Sequence, residues 1–241
     1  LGNLNDSYKD LNLEEINLGE LPELEQLMLH KIYCLNSSFN RYFGSYDFHN
    51  LYKELLNFCT VDLSAFYFDI RKDTLYCDPL SSQKRKSTLL VLNIILQCLL
   101  KWFAPILSFT TEEIYQLVSK KKNSIHLENF LNVPKKFENL ELNEKWSQLL
   151  KIRDVCNLSI EEKRASKEIG SSLEAAITIK INKQKLKILE NIDFAELCIT
   201  SSVNIVSSKQ KEIEVQTNKA QGDKCPVCWK ISKEKCLRHS E

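Results

Sequence analysis

The sequence predicts a mainly α protein in which a helical bundle precedes a small α+β unit and a metal-binding tail. Three observations support this fold class. Apolar residues recur at three- and four-residue spacing through most of 22–118, which is the periodicity of helices with one buried face. Isoleucine alternates with polar residues from Ala175 onward, and three cysteines cluster near the end. We therefore divide the chain into an approach segment (1–21), a helical bundle (22–142), a long helix with the α+β unit (143–219) and a metal knuckle (220–241).

The composition is that of an ordinary soluble globular protein. The 241 residues include 33 Lys and Arg against 32 Asp and Glu, and 43% are hydrophobic. Only five glycines are present. A complete Rossmann-type domain needs glycines where backbone approaches phosphate, so such a domain is not expected. Residues 1–30 hold seven acids and one base, a net charge of −6, so the other 211 residues carry +7, a balance that suits a polyanionic partner.

Five helices are predicted in the bundle. The first begins at Pro22, because the missing N–H of proline would have no partner in the first turn, and it ends at Gly44. Two shorter helices follow with short breaks, at Tyr46–Phe58 and Asp62–Lys72. The last is predicted to start at an S/T-x-x-E capping box, Thr110–Glu113.

The fourth helix, Ser87–Phe103, is the most informative because twelve of its 17 residues are apolar. Asn93, Gln97 and Lys101 fall four apart and form one narrow polar stripe, as expected for a helix that its neighbours enclose on most sides. The stripe makes this segment a poor membrane span, and Pro105 stops the helix. We therefore expect a buried core helix and no membrane partner.

The second half of the chain combines one long helix with short strands. The helix is expected over about Asn143–Glu168, with Gly170 as its stop. Ala175–Ile181 alternates isoleucine with Thr and Lys, which predicts a strand with one buried face. Further elements are predicted at 186–191 (helix), 203–206 (strand) and 212–216 (strand).

The tail carries two pairs of metal-ligand residues. Cys225 and Cys228 form a C-x-x-C pair, Cys236 and His239 form a C-x-x-H pair, and seven residues separate the pairs. Thiolate and imidazole are ligands that Zn²⁺ prefers, and four of them close a tetrahedral site to water. We therefore predict one structural zinc ion, whose binding would supply the folding free energy of so small a knuckle. The other six cysteines stand singly, which is typical of a reducing compartment and not of a disulfide framework.

Aromatic residues could offer contacts to RNA. Trp229 beside a basic knuckle suits an unstacked base, and packing of the ring on the knuckle's own backbone is an equal alternative. The stretch Phe39–Tyr46 contains rings that could stack on bases, but core packing suits most of them better. His30, His49 and His126 have no acid or nucleophile at a suggestive spacing, so no catalytic residue is predicted.

Several segments resemble the isoleucyl-tRNA synthetase family of the class Ia aminoacyl-tRNA synthetases. They are Tyr46–His49 (YDFH), Asn57–Tyr67 (NFCTVDLSAFY), Ala104–Ile114 (APILSFTTEEI), Ile169–Ala175 (IGSSLEA) and the cysteine-bearing tail. Two features depart from the family pattern. The family's knuckle commonly carries four cysteines, whereas His239 stands at the fourth position here. The ATP-handling signatures H-x-G-H and K-M-S-K-S are absent.

The resemblance implies a class Ia anticodon-binding helical bundle, followed by a small α+β unit and a terminal zinc knuckle. It implies that the parent enzyme attaches isoleucine to its tRNA with ATP, and that catalytic and editing domains lie upstream in the same polypeptide. This part would position the anticodon stem and loop, so we expect it to bind isoleucine tRNA, to bind no ATP and to form no adenylate alone. We expect the protein to be cytoplasmic, because no leader opens the chain. We also expect it to be a monomer.

Charge and expected exposure indicate ten residues that could contact the tRNA, and solvated surface is the default alternative for the basic ones. They are Arg41, Arg71, Lys84, Arg85, Lys163, Arg164, Lys167, Trp229, Lys230 and Arg238. Two other functions stay open from the sequence. One is a free-standing helical and zinc-knuckle module that binds RNA or protein, and the other is the same region of a valyl enzyme.

Overall fold

The computed structural model describes residues 2–4, 11–119, 123–209 and 212–239. The predicted mainly α fold with a small α+β part is confirmed. The chain divides into two units, Leu1–Leu140 and Glu141–Glu241. The helices are α1 (Glu23–Gly44), α2 (Phe48–Asn57), α3 (Asp69–Cys77), α4 (Gln83–Phe103), α5 (Ser108–Val118), α6 (Leu140–Ala165), α7 (Lys183–Leu189) and α8 (Phe194–Leu197). The strands are β1 (Ala175–Asn182), β2 (Ser202–Ser208), β3 (Glu214–Lys219), β4 (Asp223–Lys224) and β5 (Ile231–Ser232).

Helices α1 and α4 form the centre of the first unit. Pro22 precedes α1 and Gly44 is its last residue, as predicted. Leu27 and Ile32 are buried on α1, and Ile94 is buried on α4. The buried indole of Trp102 donates from Nε1 to Asn36 Oδ1 at 3.2 Å. Apolar packing therefore holds the two helices together, and internal hydrogen bonds such as this one fix their register.

The polar stripe of α4 is also enclosed. Asn93 and Gln97 are 2% and 4% exposed, and Gln97 Nε2 donates to Asn93 Oδ1 at 3.2 Å. Lys101 pairs with Glu128 at 3.7 Å. Helix α4 is long and apolar enough to cross a membrane by length and composition, but 56% of its most apolar window is buried inside the protein. The prediction of an enclosed core helix is confirmed, and packing accounts for the composition.

The predicted break between the second and third helices is wrong. Backbone stays helical from Phe48 to Cys77, and the middle segment, Phe58–Phe68, is wound as a wider π-helix. Thr60 lies where the break was expected, and its hydroxyl donates to the carbonyl of Leu56 at 2.9 Å. A β-branched hydroxyl residue that bonds back to the preceding turn can remain in a helix, so no break is needed.

The capping box predicted at Thr110–Glu113 is also wrong. Helix α5 begins two residues earlier, at Ser108, directly after the turn at Pro105. The predicted cap therefore lies inside the helix, and Leu107 at the start of α5 provides no side-chain cap. Glu112, within the same four residues, accepts hydrogen bonds from the hydroxyl of Ser124 at 2.8 Å and from the backbone N–H of Ile125 at 2.9 Å, and so holds a later turn of the chain.

The second unit is built on a three-stranded sheet in the order β2-β1-β3. Strand β1 pairs in parallel with β2 and antiparallel with β3. A parallel pair needs a crossover connection, and α7 and α8 supply it. Ile177, Ile179 and Ile181 are buried on one face of β1, so the alternation predicted from the sequence is confirmed.

Helix α6 is joined by hydrogen bonds to the sheet and to α8. Ser159 Oγ lies 2.8 Å from Thr217 Oγ1 on β3, and Arg153 Nε donates to the carbonyl of Leu197 at 2.8 Å. The helix ends at Ala165, before the predicted end near Glu168. Lys167 adopts a left-handed conformation (φ 60°) and its N–H donates to the carbonyl of Arg164, which terminates the helix before Gly170.

Candidate metal centre and nucleic-acid interface

The four predicted metal ligands come together at one point. The potential ligand atoms of Cys225, Cys228, Cys236 and His239 all lie within 4.8 Å of one another. Cys228 Sγ is 3.8 Å from Cys236 Sγ, and His239 Nδ1 is 3.5 Å from Cys225 Sγ and 3.3 Å from Cys236 Sγ. This cluster could hold a metal ion.

Backbone hydrogen bonds build the first half of the cluster. The N–H of Cys225 donates to the carbonyl of Lys230 at 2.9 Å, and the N–H of Trp229 donates back to the carbonyl of Cys225 at 3.0 Å. The left-handed conformation of Trp229 (φ 63°) closes this turn. In the second half, the N–H of His239 donates to the carbonyl of Cys236 at 3.0 Å. Each x-x spacer thus bends so that two side chains face the same point.

The backbone also affects the acidity of the thiols. The N–H groups of Cys228 and Val227 point at the sulfur of Cys225 and lower the pKa of this thiol to about 6, although burial opposes the shift. Burial raises the pKa of Cys228 to about 11. Because metals bind the thiolate, Cys225 is already suited to coordination at neutral pH, whereas Cys228 would release its proton on metal binding.

Three of the ligand separations suit a tetrahedral metal site. Sulfur and nitrogen ligands at about 2.0–2.3 Å from zinc lie about 3.5–3.8 Å apart at the corners of a tetrahedron. The three separations of 3.3 to 3.8 Å within the cluster are close to those edges. Three thiols and one imidazole would also fill all four positions, which is typical of structural and not of catalytic sites.

A two-stranded hairpin, β4–β5, supports the cluster and requires a glycine. Gly222 has a φ of +122°, and a Cβ at this position would lie 2.1 Å from the carbonyl oxygen of Ser232. No side chain can occupy that space unless the backbone of the hairpin moves. The knuckle therefore depends on Gly222 for its backbone path.

We predict that Gly222→Ala destabilises the second unit by about 1–3 kcal/mol, because the substitution combines backbone strain with a steric clash. Thermal unfolding measured by calorimetry would detect the loss. Gly44→Ala is the matched control, because a Cβ at Gly44 meets nothing within 4 Å. Equal melting temperatures for the two variants would contradict the prediction.

Three predicted tRNA contacts lie on the knuckle. Trp229 is 58% exposed, so the knuckle does not enclose the ring, and Lys224 Nζ lies 5.3 Å from the ring centroid. Arg238 is exposed and Lys230 is half-buried. An accessible aromatic ring beside cations is suited to an unpaired base and its phosphate.

Three further predicted contacts lie at the end of α6. Lys163 pairs with Glu168 at 2.8 Å, and Arg164 pairs with Glu161 at 2.6 Å. Lys167 is exposed. The two ion pairs are solvent-exposed and each contributes about 0–1 kcal/mol, so a phosphate could displace the carboxylates at little cost.

The prediction for Arg71 is wrong. Its side chain is 3% exposed and forms a two-pronged ion pair with Glu25, with Nε to Oε1 at 2.7 Å and Nη2 to Oε2 at 2.6 Å. The hydroxyls of Tyr67 and Thr88 also donate to Glu25, each at 3.1 Å. Arg71 therefore stabilises the interior of the bundle and cannot reach RNA. Burial of Tyr67 in the same cluster raises the pKa of its hydroxyl well above the usual value.

The remaining basic candidates differ in exposure. Arg41 is exposed and its guanidinium lies 4.6 Å from the centroid of the Tyr42 ring. Lys84 and Arg85 are half-buried in the first turn of α4, and Arg85 Nη1 donates to the carbonyl of Asp78 at 2.6 Å. Arg85 is thus partly committed to the fold, whereas Arg41 remains accessible.

One group of cations lies outside the predicted contacts. Helix α7 presents three exposed lysines, Lys183, Lys185 and Lys187, and the run K-Q-K-L-K is the available signal. Tyr46, one of the rings in Phe39–Tyr46 that could stack on bases, is 81% exposed at the turn between α1 and α2. Core packing, which suits most rings of that stretch, therefore does not apply to Tyr46.

The histidine–cysteine pair of α1 has no catalytic arrangement. His30 Nδ1 accepts the backbone N–H of Asn139 at 3.0 Å, so its proton resides on Nε2, which lies 3.6 Å from Cys34 Sγ. The imidazole therefore has no free nitrogen to accept the thiol proton. Burial, and then the charge of Glu138, raise the pKa of Cys34, which keeps the thiol protonated.

Known proteins match the whole chain. The family described as "Anticodon-binding domain of tRNA ligase" matches residues 25–180. An isoleucine–tRNA ligase from Pelagibacter ubique (strain HTCC1062) is 62% identical over 241 residues, which is 100% of this chain and 27% of the relative. Isoleucine–tRNA ligases from Bartonella quintana (strain Toulouse) and Agrobacterium fabrum (strain C58 / ATCC 33970) are 41% and 40% identical over 232 residues, each covering 92% of this chain and 24% of the relative.

The chain thus spans about a quarter of the length of the curated relatives it matches. The family match covers most of the first unit, together with α6 and part of the sheet. The observed helical bundle, the predicted fold class and the matched relatives agree with one another. The chain belongs to the anticodon-binding domain family of tRNA ligases.

Proposed function

We propose that this chain is the tRNA-holding part of an isoleucine–tRNA ligase. The observation that carries the proposal is the 62% identity to such a ligase along all 241 residues. The substrate would be isoleucine tRNA, gripped at its anticodon stem and loop. Holding the far end of the RNA would keep the acceptor end in register with a distant reaction centre, which lowers the entropic part of the barrier.

We propose that the bound metal is one Zn²⁺, held by Cys225, Cys228, Cys236 and His239. The support is the ligand chemistry and the tetrahedral spacing described above. With all four positions filled by protein, zinc would join the ends of a segment that has little core of its own. The metal would therefore be structural, and no reaction step would take place on it.

Electrostatic contacts would give most of the affinity for RNA. The accessible cations are Arg41 in the first unit, and Lys163, Arg164, Lys167, Lys230 and Arg238 in the second, with Trp229 available to stack on a base. Such contacts release counterions, so binding should weaken steeply as salt rises. Phosphate contacts position the RNA, and contacts to unpaired bases would supply the specificity.

The activity of the parent enzyme would require the rest of the polypeptide. We propose that isoleucine activation with ATP takes place in segments outside this chain, and that this chain binds no ATP. A monomeric, cytoplasmic enzyme is consistent with relatives that are tRNA ligases. The two alternatives left open by the sequence are not favoured, because the named relatives extend well beyond this chain and are isoleucine enzymes.

A binding measurement tests the proposal. In a gel-shift titration, the chain should bind isoleucine tRNA at least tenfold more tightly than a copy with a substituted anticodon. Each phosphate contact should add about −0.7 to −0.9 to the slope of log K against log salt. ATP–pyrophosphate exchange by the chain alone should stay at background. Equal affinity for the two tRNAs would overturn the proposed function in favour of a general RNA-binding module.

A further inference from the structure

Tyr46 ends α1 in a conformation that usually belongs to glycine. Its φ is +58°, in the left-handed region, and a bulky side chain there is a rare and strained arrangement. The N–H of Asp47 donates to the carbonyl of Tyr42 at 2.9 Å, and the N–H of Tyr46 donates to the carbonyl of Phe43 at 3.2 Å. These two bonds form the Schellman motif, in which glycine is preferred at the position of Tyr46.

Core packing does not explain the presence of tyrosine at this position. The residue is 81% exposed, and its ring contacts Phe48 with a centroid separation of 6.3 Å. Gly44 stands two residues earlier, inside the helix, where a glycine is not required. Tyrosine thus occupies a position that favours glycine, and its ring is not buried in the core in return. Backbone strain without a packing benefit is often found at functional positions.

The ring of Tyr46 nevertheless lies at the end of a row of packed aromatic rings. Phe48 packs on Phe43 at 5.9 Å, and Phe43 packs on the fully buried Phe39 at 5.5 Å. On the other side, Asp47 caps α2 by accepting the N–H of Asn50 at 3.2 Å. Tyr46 thus sits between the end of one helix and the start of the next, beside packed aromatic rings. A platform that is already placed before a ligand binds loses less conformational entropy on binding.

The surroundings suit a polyanion. The sequence contains no acidic residue between Glu25 and Asp47, and Asp47 is engaged in the cap of α2. Arg41 is exposed one helical turn before Tyr46 and carries the local positive charge. An exposed aromatic ring five residues from an exposed arginine, in a stretch of sequence without acidic residues, suits an unpaired base and its adjoining phosphate.

We propose that Tyr46 is a stacking platform for an unpaired base of an RNA loop, with Arg41 contacting the adjoining phosphate. This inference rests on the proposed function, since the RNA loop would be that of the anticodon. Tyr46 would contact the flat face of the base and would form no hydrogen bonds to the base edges. The contact therefore tolerates any base, whereas other residues would read the anticodon.

The test compares three forms of the full chain: unmodified, Tyr46→Gly and Tyr46→Trp. Two fluorescent RNA hairpins serve as probes, namely the anticodon stem–loop of isoleucine tRNA and the same stem closed by a linker without bases. We expect Tyr46→Gly to bind the stem–loop about 5- to 150-fold more weakly, because a stacked base contributes about 1–3 kcal/mol. Its affinity for the linker-closed stem should not change, and Tyr46→Trp should bind the stem–loop as tightly as the unmodified chain.

The stability of Tyr46→Gly separates a contact role from a folding role. Glycine relieves the left-handed strain, so its melting temperature should equal or exceed that of the unmodified chain. Unchanged stem–loop affinity in Tyr46→Gly would overturn the inference and favour a protein contact for this ring. Equal affinity of the unmodified chain for the two hairpins would overturn it as well. The tRNA with a substituted anticodon separates this inference from the proposed function. Its loop keeps unpaired bases, so Tyr46 would still stack on it even if the chain did not prefer the isoleucine anticodon.

Discussion

Replacing Arg71 with leucine is expected to lower the free energy of unfolding of the first unit by about 3–5 kcal/mol. The substitution would leave the carboxylate of Glu25, which is 0% exposed, buried without its cation. The hydroxyls of Tyr67 and Thr88 would still donate to Glu25, but they carry no compensating charge. The melting temperature, measured by circular dichroism, should fall by roughly 10 °C for a unit of this size.

The chain offers a matched control one residue away. Lys72 forms an exposed ion pair with Asp69 at 2.9 Å, with side chains 65% and 40% exposed, so Lys72→Met should change the unfolding free energy by less than about 1 kcal/mol. The double variant Glu25→Leu/Arg71→Leu should recover most of the loss, because it removes both buried charges. If Arg71→Leu and Lys72→Met have the same melting temperature, the buried ion pair does not stabilise the bundle as described.

Replacing Cys228 with serine is expected to abolish stoichiometric metal binding. A serine hydroxyl is a poor zinc ligand compared with a thiolate, and the remaining three ligands would leave the site open to water and chelators. The last 20 or so residues should then lose their order, since metal binding supplies their folding free energy, while the helical bundle stays folded. Atomic absorption should give one zinc per unmodified chain and none for the variant.

Cys34→Ser is the control for the metal measurement. Cys34 is an exposed thiol on α1 and is not one of the four clustered ligands. This variant should retain one zinc per chain and the same hydrogen-exchange protection in residues 223–239. A full zinc complement in Cys228→Ser would show that the ligand set is different from the one described.

Local patterns predicted much of the fold because they depend on neighbouring residues. The isoleucines of β1 alternate with a period of two, and burial of one sheet face requires no other information. Pro22 and Gly44 bracket α1 for reasons of backbone geometry. The two ligand pairs of the tail lie within 15 residues, so their spacing alone indicated a common metal.

Interactions between distant parts of the chain could not be predicted in this way. The partner of Arg71 is Glu25, 46 residues away, and nothing near Arg71 in the sequence distinguishes a buried arginine from a surface one. Glu112 likewise accepts a hydrogen bond from the backbone of Ile125, 13 residues later, and no local pattern indicates that contact. In both cases the interaction joins residues that the local sequence does not connect.

The left-handed conformation of Tyr46 could not be predicted from the local sequence either. The sequence places Gly44 near the expected helix end, so a glycine-based stop was the simplest interpretation. The left-handed residue is Tyr46, and its position follows from where the last backbone bonds of α1 form. Strain of this kind is visible only in the structure, because no residue preference favours it.

Nuclease footprinting of full-length isoleucine tRNA tests the central claim most directly. We expect this chain to protect the anticodon stem and loop and to leave the acceptor stem as accessible as in free tRNA. Protection should disappear as salt rises, because phosphate contacts dominate the affinity. Protection of the acceptor end, or an unchanged cleavage pattern at saturating protein, would contradict the account that this chain grips the anticodon arm.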